Sequence, residues 1–176
     1  MTLRPIIKFE PLVMIGLDFL GLITLQCQKT EAKYMLIAVD YFMRYTWVRP
    51  CKATDGRHIV DFFENFVSPN FRFPYSLYTD NGTHFTGAPA NDYFREKGIL
   101  HYDAPVSHPL SVRLVERTVQ LVVSQTRAYV IEQRQYRTDL WGLLAGSTML
   151  AINTRLVKIY GFTLAELMFG YRPKGS

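Results

Sequence analysis

Three acids in this 176-residue chain stand where packing alone does not explain a carboxylate. Asp18 lies inside the apolar stretch "PLVMIGLDFLGLITL", Pro11 to Leu25. A lone buried carboxylate is costly unless it is paired or bound to a metal. Asp80 follows the run "PYSLYT", at a strand end of the kind where α/β sites usually sit. Taken alone, its "DNG" reads as a tight turn, because Asn-Gly favours positive φ. Glu116 lies in "SHPLSVRLVERTVQ", among Val112, Leu114, Val115 and Val119. Taken alone, a Glu beside an Arg on a helix is a solvated face. Together the three acquire a chemical reading, with 35 residues between Asp80 and Glu116. Converging carboxylates can hold two hard divalent cations, which activate a water or hydroxyl and stabilise a leaving phosphate oxygen. Without metal such a cluster repels itself and raises its own pKa values.

The elements that must deliver these groups follow from patterning. Pro11–Leu20, Tyr34–Asp40 and Tyr45–Arg49 read as a meander of three strands, joined by "QKTEAK" and "YFMR". Thr54–Val67 switches to helical spacing, with Ile59, Val60, Phe62, Phe63 and Phe66 on one face and Thr54 or Asp55 as N-cap. Short strands at Pro74–Thr79 and Ile99–Tyr102 enclose a helix, Phe85–Lys97, closed by Gly98. The loop "DAPVSHP" leads into a long helix to about Arg134. A second helix is expected from about Asp139 to Ile159, and a short one from Thr163 to Phe169. A meander followed by alternating strands and helices predicts a mixed α/β sheet. A strand centre, a neighbouring strand end and an apposed helix can bring three acids to one point.

Composition sets the outer bounds. The chain is 48% hydrophobic and 20% charged, with no repeat or low-complexity linker, which predicts one globular domain over residues 11–176 after a lead-in at 1–10. A net charge of +5 suits a polyanionic partner, and Arg113, Arg117, Arg127, Arg134, Arg137 and Arg155 cluster in the second half. Cys27 and Cys51 form no disulfide framework and no zinc site, which points to reduced, intracellular chemistry. The apolar stretch around Asp18 is shorter than the roughly 20 residues needed to span a bilayer. A central Asp would also cost about 2.5–3.5 kcal/mol there, so no membrane partner is expected.

Several segments resemble one family. "GLDFLG", "YMLIAVDYFMRYTWVRP", "FPYSLYTDNGTHF", "SHPLSVRLVER" and "INTRLVKIYGFTLAELMFGYRP" are similar to successive segments of retroviral-type integrase catalytic cores, in the gypsy-type LTR-retrotransposon branch and its fungal-like members. The resemblance implies an RNase H-like fold: a five-stranded mixed sheet, an antiparallel meander then parallel strands, flanked by helices. It implies that Asp18, Asp80 and Glu116 are both catalytic and metal-binding, with two Mg²⁺ or Mn²⁺ ions. It implies 3′-processing and strand transfer in DNA integration, with element ends and target DNA as partners and a homodimer or higher multimer in a nuclear setting. Asn81, His108, Arg113, Arg117 and Gln120 are read as nucleic-acid contacts. Asp40 matches a family position outside the triad and is read as structural.

Departures from the pattern support a second reading. The family's zinc module and C-terminal module do not match any segment here, so the chain is expected to be the core alone or a fragment of a polyprotein. Leu110, Arg113, Arg72 and Leu164 stand where the pattern has other residues, Gly at 113 and 72 and Pro at 164. Each change is reachable by one transition, which suggests an eroded copy; transversions at these codons among sibling copies would exclude that. Arg113, three residues before Glu116, can pair with the carboxylate and compete with metal, or can contact phosphate. The alternative function is therefore a decayed or host-recruited core that binds DNA or protein without catalysis. An RNase H-fold nuclease is a third reading, which the gypsy-type tail opposes.

Overall fold

The computed structural model describes residues 10–21, 23, 26–80, 82–103, 109–132 and 138–171. Five strands, β1 (Met14–Leu20), β2 (Tyr34–Asp40), β3 (Thr46–Cys51), β4 (Ser76–Thr79) and β5 (Leu100–Asp103), form one sheet in the order β3-β2-β1-β4-β5. β1, β2 and β3 are antiparallel neighbours, whereas β4 runs parallel to β1 and to β5. This is the expected mixed sheet. β2 is buried from Met35 onward because helices cover both its faces, so its sequence is continuously apolar rather than alternating.

The two faces have separate cores. On one, Leu17, Leu36, Ala38, Trp47 and Leu77 pack with residues of α1 (Gly56–Phe62), α2 (Thr83–Thr86) and α3 (Ala88–Glu96), including Ile59, Phe62, Phe85 and Phe94. On the other, Met35, Ile37 and Val48 pack with Val122 of α4 (Pro109–Glu132), with Trp141, and with Ala145 and Ile152 of α5 (Ala145–Asn153). Asp55 is the cap of α1, accepting from the His58 backbone N–H at 3.1 Å. Gly98, at φ 68°, follows the last turn of α3 as expected.

Two expected helices are divided. Phe85–Lys97 is two helices, because Pro89 fits a first turn and restarts the helix after Gly87. Asp139–Ile159 begins as a 3₁₀ segment at Thr138–Leu144, where Gly142 packs so closely that a Cβ would lie 2.6 Å from Oγ1 of Thr30. After α5 the chain turns through a hairpin, β6 (Leu156–Val157) and β7 (Phe162–Thr163), which Gly161 permits at φ 70°. A capping box between Thr163 and Glu166 then starts α6 (Leu164–Phe169). Leu164, where the family pattern has Pro, is buried at its first turn.

One long-range bond ties α5 to the sheet margin. The Asn153 side-chain amide accepts from the Thr46 backbone N–H at 2.9 Å and donates to the Thr46 carbonyl at 2.7 Å. Among the described residues, no helix is long and apolar enough to cross a membrane.

Candidate active site

The parallel register of β1 and β4 puts two of the acids abreast. Gly16 pairs with Tyr78, and two residues further along each chain come Asp18 and Asp80. A step of two returns a side chain to the same face, and neighbouring strands lie about 4.8 Å apart. The third acid arrives on α4, which packs over β1 and β2. Thr118, Val122 and Thr126 form the buried stripe of that helix, so Glu116 lies off the core-facing line, on the exposed side and within reach of the sheet edge.

The three carboxylates line one open cavity of about 210 Å³, together with Leu17, Tyr41, Tyr78, Thr79 and Val115. Among the described residues its lining has no Lys, Arg or His. The electrostatics match the crowding. Asp18 is pushed up to about 6, first by burial, then by the Asp80 charge, with Glu116 adding to it against a backbone hydrogen bond at Phe19. A cluster that holds back its own ionisation is one that a divalent cation would relieve. The donors are all hard carboxylate oxygens, which suits Mg²⁺ or Mn²⁺. The fit is in kind and place rather than a closed cage. Among the described residues no three His, Cys, Asp or Glu side chains stand as a ready ligand group. Asp80 is engaged elsewhere: its Oδ1 accepts the Gly82 backbone N–H at 2.9 Å and lies 3.9 Å from Nε2 of His84.

The remaining expected residues divide. Arg113, Arg117 and Gln120 are exposed along α4 beside Glu116. Among the described residues Arg113 makes no ion pair with Glu116. Asn81 and His108 lie outside the described residues, and the side chain of Leu110 is likewise not described. Arg72 donates to the Pro11 carbonyl at 2.9 Å and approaches Glu10 at 3.5 Å, so at this position it clips the approach to β1. Asp40 is structural, as expected: fully buried, it accepts backbone N–H bonds from Leu12 at 2.7 Å, Phe42 at 2.9 Å and Met43 at 2.5 Å.

Sequence reasoning missed three residues at the site. Tyr41 and Tyr78 line the cavity, with ring centroids 6.0 Å apart. The available signal was period two: Tyr78 is two residues before Asp80. His84 packs edge-on against Phe19 at 5.0 Å and beside Asp80, and burial lowers its pKa against the opposing charge of Asp80. One helical turn after Asp80 was the clue to it.

No protein-family model matches the chain. By sequence it is similar to the Gag-Pol polyprotein of Walleye dermal sarcoma virus (24% identity over 93% of this chain and 9% of the relative). It is also similar to a retrovirus-related Pol polyprotein from transposon RE2 of Arabidopsis thaliana (33% over 52% of this chain and 6% of the relative). The Pro-Pol polyprotein of Feline foamy virus matches at 28% over 78% of this chain and 11% of the relative. By structure it is similar to the HTLV-2 integrase catalytic core domain in complex with magnesium: TM-score 0.71, 17% identity, 89% of this chain and 95% of that one. The chain has the fold of a retroviral-type integrase core. A simian T-cell lymphotropic virus intasome in complex with PP2A regulatory subunit B56 gamma matches at TM-score 0.74 and 17% identity, over 94% of this core and 56% of that chain. Those two likenesses establish the fold as the integrase-core, RNase H-like one. The core spans about a tenth or less of each of the three sequence relatives named here.

Proposed function

We propose that this integrase core performs metal-dependent polynucleotidyl transfer on DNA: 3′-processing of element ends and strand transfer into target DNA. The observation that carries the reading is the cavity in which Asp18, Asp80 and Glu116 meet, with no basic side chain among the described residues of its lining. These three would hold two Mg²⁺ or Mn²⁺ ions, which when bound neutralise charge on the reacting phosphate and activate the attacking hydroxyl. Asp18, partly buried on rigid β1, fixes the inner wall of the site. Asp80, now turned to Gly82, is the acid free to re-aim. The exposed stripe Arg113, Arg117, Gln120 and Arg127 on α4 leads away from the cavity and offers phosphate contacts. Asn81 and His108 belong to the same proposed DNA surface. The gypsy-type, fungal-like assignment, multimerisation and a nuclear setting are parts of this proposal.

Arg113, one turn before Glu116, favours a second reading, a core that binds DNA without turning over. One experiment separates them: cleavage and strand transfer on a short branched DNA with Mn²⁺, comparing the native core with Glu116→Gln. Catalysis predicts a loss of about 10³-fold or more in the variant, some 4 kcal/mol of barrier. Equal activity in both proteins removes Glu116 from the chemistry. DNA binding with no cleavage in either protein selects the second reading.

A further inference from the structure

β1 contains a glycine, Gly16, in the middle of an otherwise bulky strand. Such a glycine marks either a bulge or a place where another element comes close. Here the strand is regular, since Gly16 pairs in register with Val39 on one side and Tyr78 on the other. The close element is α4. A Cβ placed on Gly16 would lie 2.5 Å from Cγ2 of Val115 and 2.9 Å from Cε2 of Tyr41. Carbon atoms in good contact sit about 3.5–4.0 Å apart, so the methyl of an alanine has no room.

Neither neighbour yields easily. Val115 is β-branched, and in a helix it has essentially one side-chain rotamer. The Tyr41 ring is held against Tyr78. Relief must therefore come from α4 moving away from β1. Val115 is the residue immediately before Glu116, and Gly16 is two residues before Asp18 on the same face. The gap at Gly16 thus lies directly beneath the pair of acids it separates. Both residues that fill the gap, Val115 and Tyr41, also line the carboxylate cavity.

We propose that Gly16 is a positioning residue: its missing side chain is a socket that seats Val115 and so sets the spacing of Glu116 over Asp18. The inference rests on the reading of Asp18 and Glu116 as metal ligands. It assigns the depth of α4 on the sheet to one atom's absence. Gly16→Ala lifts α4 by about 1 Å, a displacement that in a catalytic constellation can cost about a hundredfold.

The test is Mn²⁺ affinity, read from the rise of Tm with Mn²⁺ concentration, together with metal-free crystal structures of the native core and Gly16→Ala. Gly16→Ala is expected to keep its fold and weaken Mn²⁺ tenfold or more. Adding Val115→Ala removes the clashing methyls and is expected to bring affinity back to within about threefold of the native core. A residue needed only for strand stability would lower Tm without this reciprocal rescue. Native Mn²⁺ affinity in Gly16→Ala, or a loss that Val115→Ala does not restore, overturns the proposal. Should Gly16→Ala not fold, Val115→Leu fills the socket from the helix side with Gly16 intact; native Mn²⁺ affinity in that folded variant overturns it equally. Absence of any Mn²⁺ response in the native core defeats the metal reading instead. The crystal structures then decide alone, and unchanged α4–β1 spacing in Gly16→Ala defeats the socket.

Discussion

Asp18 and Asp40 are carboxylates on neighbouring strands of one sheet, and burial pushes both above the usual carboxylate range. Their surroundings differ in sign. Asp40 is met by three backbone N–H groups and the nearby charge of Arg44, all of which favour its ionised form. Asp18 is met by two further carboxylates and one backbone hydrogen bond. A buried acid whose environment compensates it is holding structure. One whose environment adds to its burden fits the proposed metal role. The polarity of the neighbours, more than depth, tells the two roles apart.

The largest effect expected on stability tests the compensated acid. Asp40→Ala orphans the N–H groups of Leu12, Phe42 and Met43, and Leu12 is held at φ 62° beside it. At about 1–3 kcal/mol for each buried donor left unpaired, a loss of some 3 kcal/mol or more in urea unfolding is expected, with the Mn²⁺ response kept in whatever protein stays folded. A loss below about 1 kcal/mol would erase the contrast.

Asp18→Asn should act in the opposite direction in metal-free protein. The folded pKa of Asp18, about 6, lies above its ordinary value of 3.8, so the native state holds its proton more tightly. Stability from this group is present below about pH 4 and is lost as pH rises through 6. The variant is therefore expected to be more stable than the native core at pH 8 by about 1–2 kcal/mol, after allowance for solvent screening, and equal to it near pH 4. Its Mn²⁺-dependent rise in Tm should vanish. A variant that is less stable at pH 8 would place Asp18 with Asp40.

Arg113 tests the comparison from the surface, since it is exposed one turn before Glu116 and, among the described residues, is not paired with that acid, whereas the charge of Arg44 acts on Asp40. An exposed charge acts on a neighbouring one by no more than about 0.2–1 kcal/mol, and here it would repel a bound cation. Arg113→Gly is therefore expected to raise Mn²⁺ affinity by about threefold. Unchanged metal affinity with weakened DNA binding would make Arg113 a phosphate contact. The smallest effect belongs to Arg72→Gly, which loses the bond to the Pro11 carbonyl next to Leu12 and should cost about 0.5 kcal/mol in the same urea assay.

Much of this was legible in the chain. β2 occupies the predicted Tyr34–Asp40, because a strand buried on both faces announces itself as an unbroken apolar run. That Asp18, Asp80 and Glu116 would meet in one cavity was legible from an acid inside such a run, from the spacing of the other two and from the family resemblance. The division at Gly87 was legible in Pro89 and was passed over, whereas the 3₁₀ start at Thr138–Leu144 has no period in the sequence to mark it. The hairpin after Asn153 was lost for a similar reason: "WGLLAGSTMLAI" is apolar on every side, so it carries no period to show where the helix stops. At the site, the third acid was readable and the depth at which its helix sits was not. That depth depends on Gly16 meeting Val115, two residues far apart in the chain.

The amide of Asn153 has a consequence outside chemistry. β3 is an edge of the sheet, and an uncovered edge invites another chain to add a strand. Asn153 takes both the N–H and the carbonyl that Thr46 turns outward, supplying with one side chain what an intruding strand would supply. The last turn of α5 therefore works as a guard against fibrous self-association. A polypeptide released before residue 153, whether by truncation or proteolysis, would keep its three acids and lose its protection from its own kind.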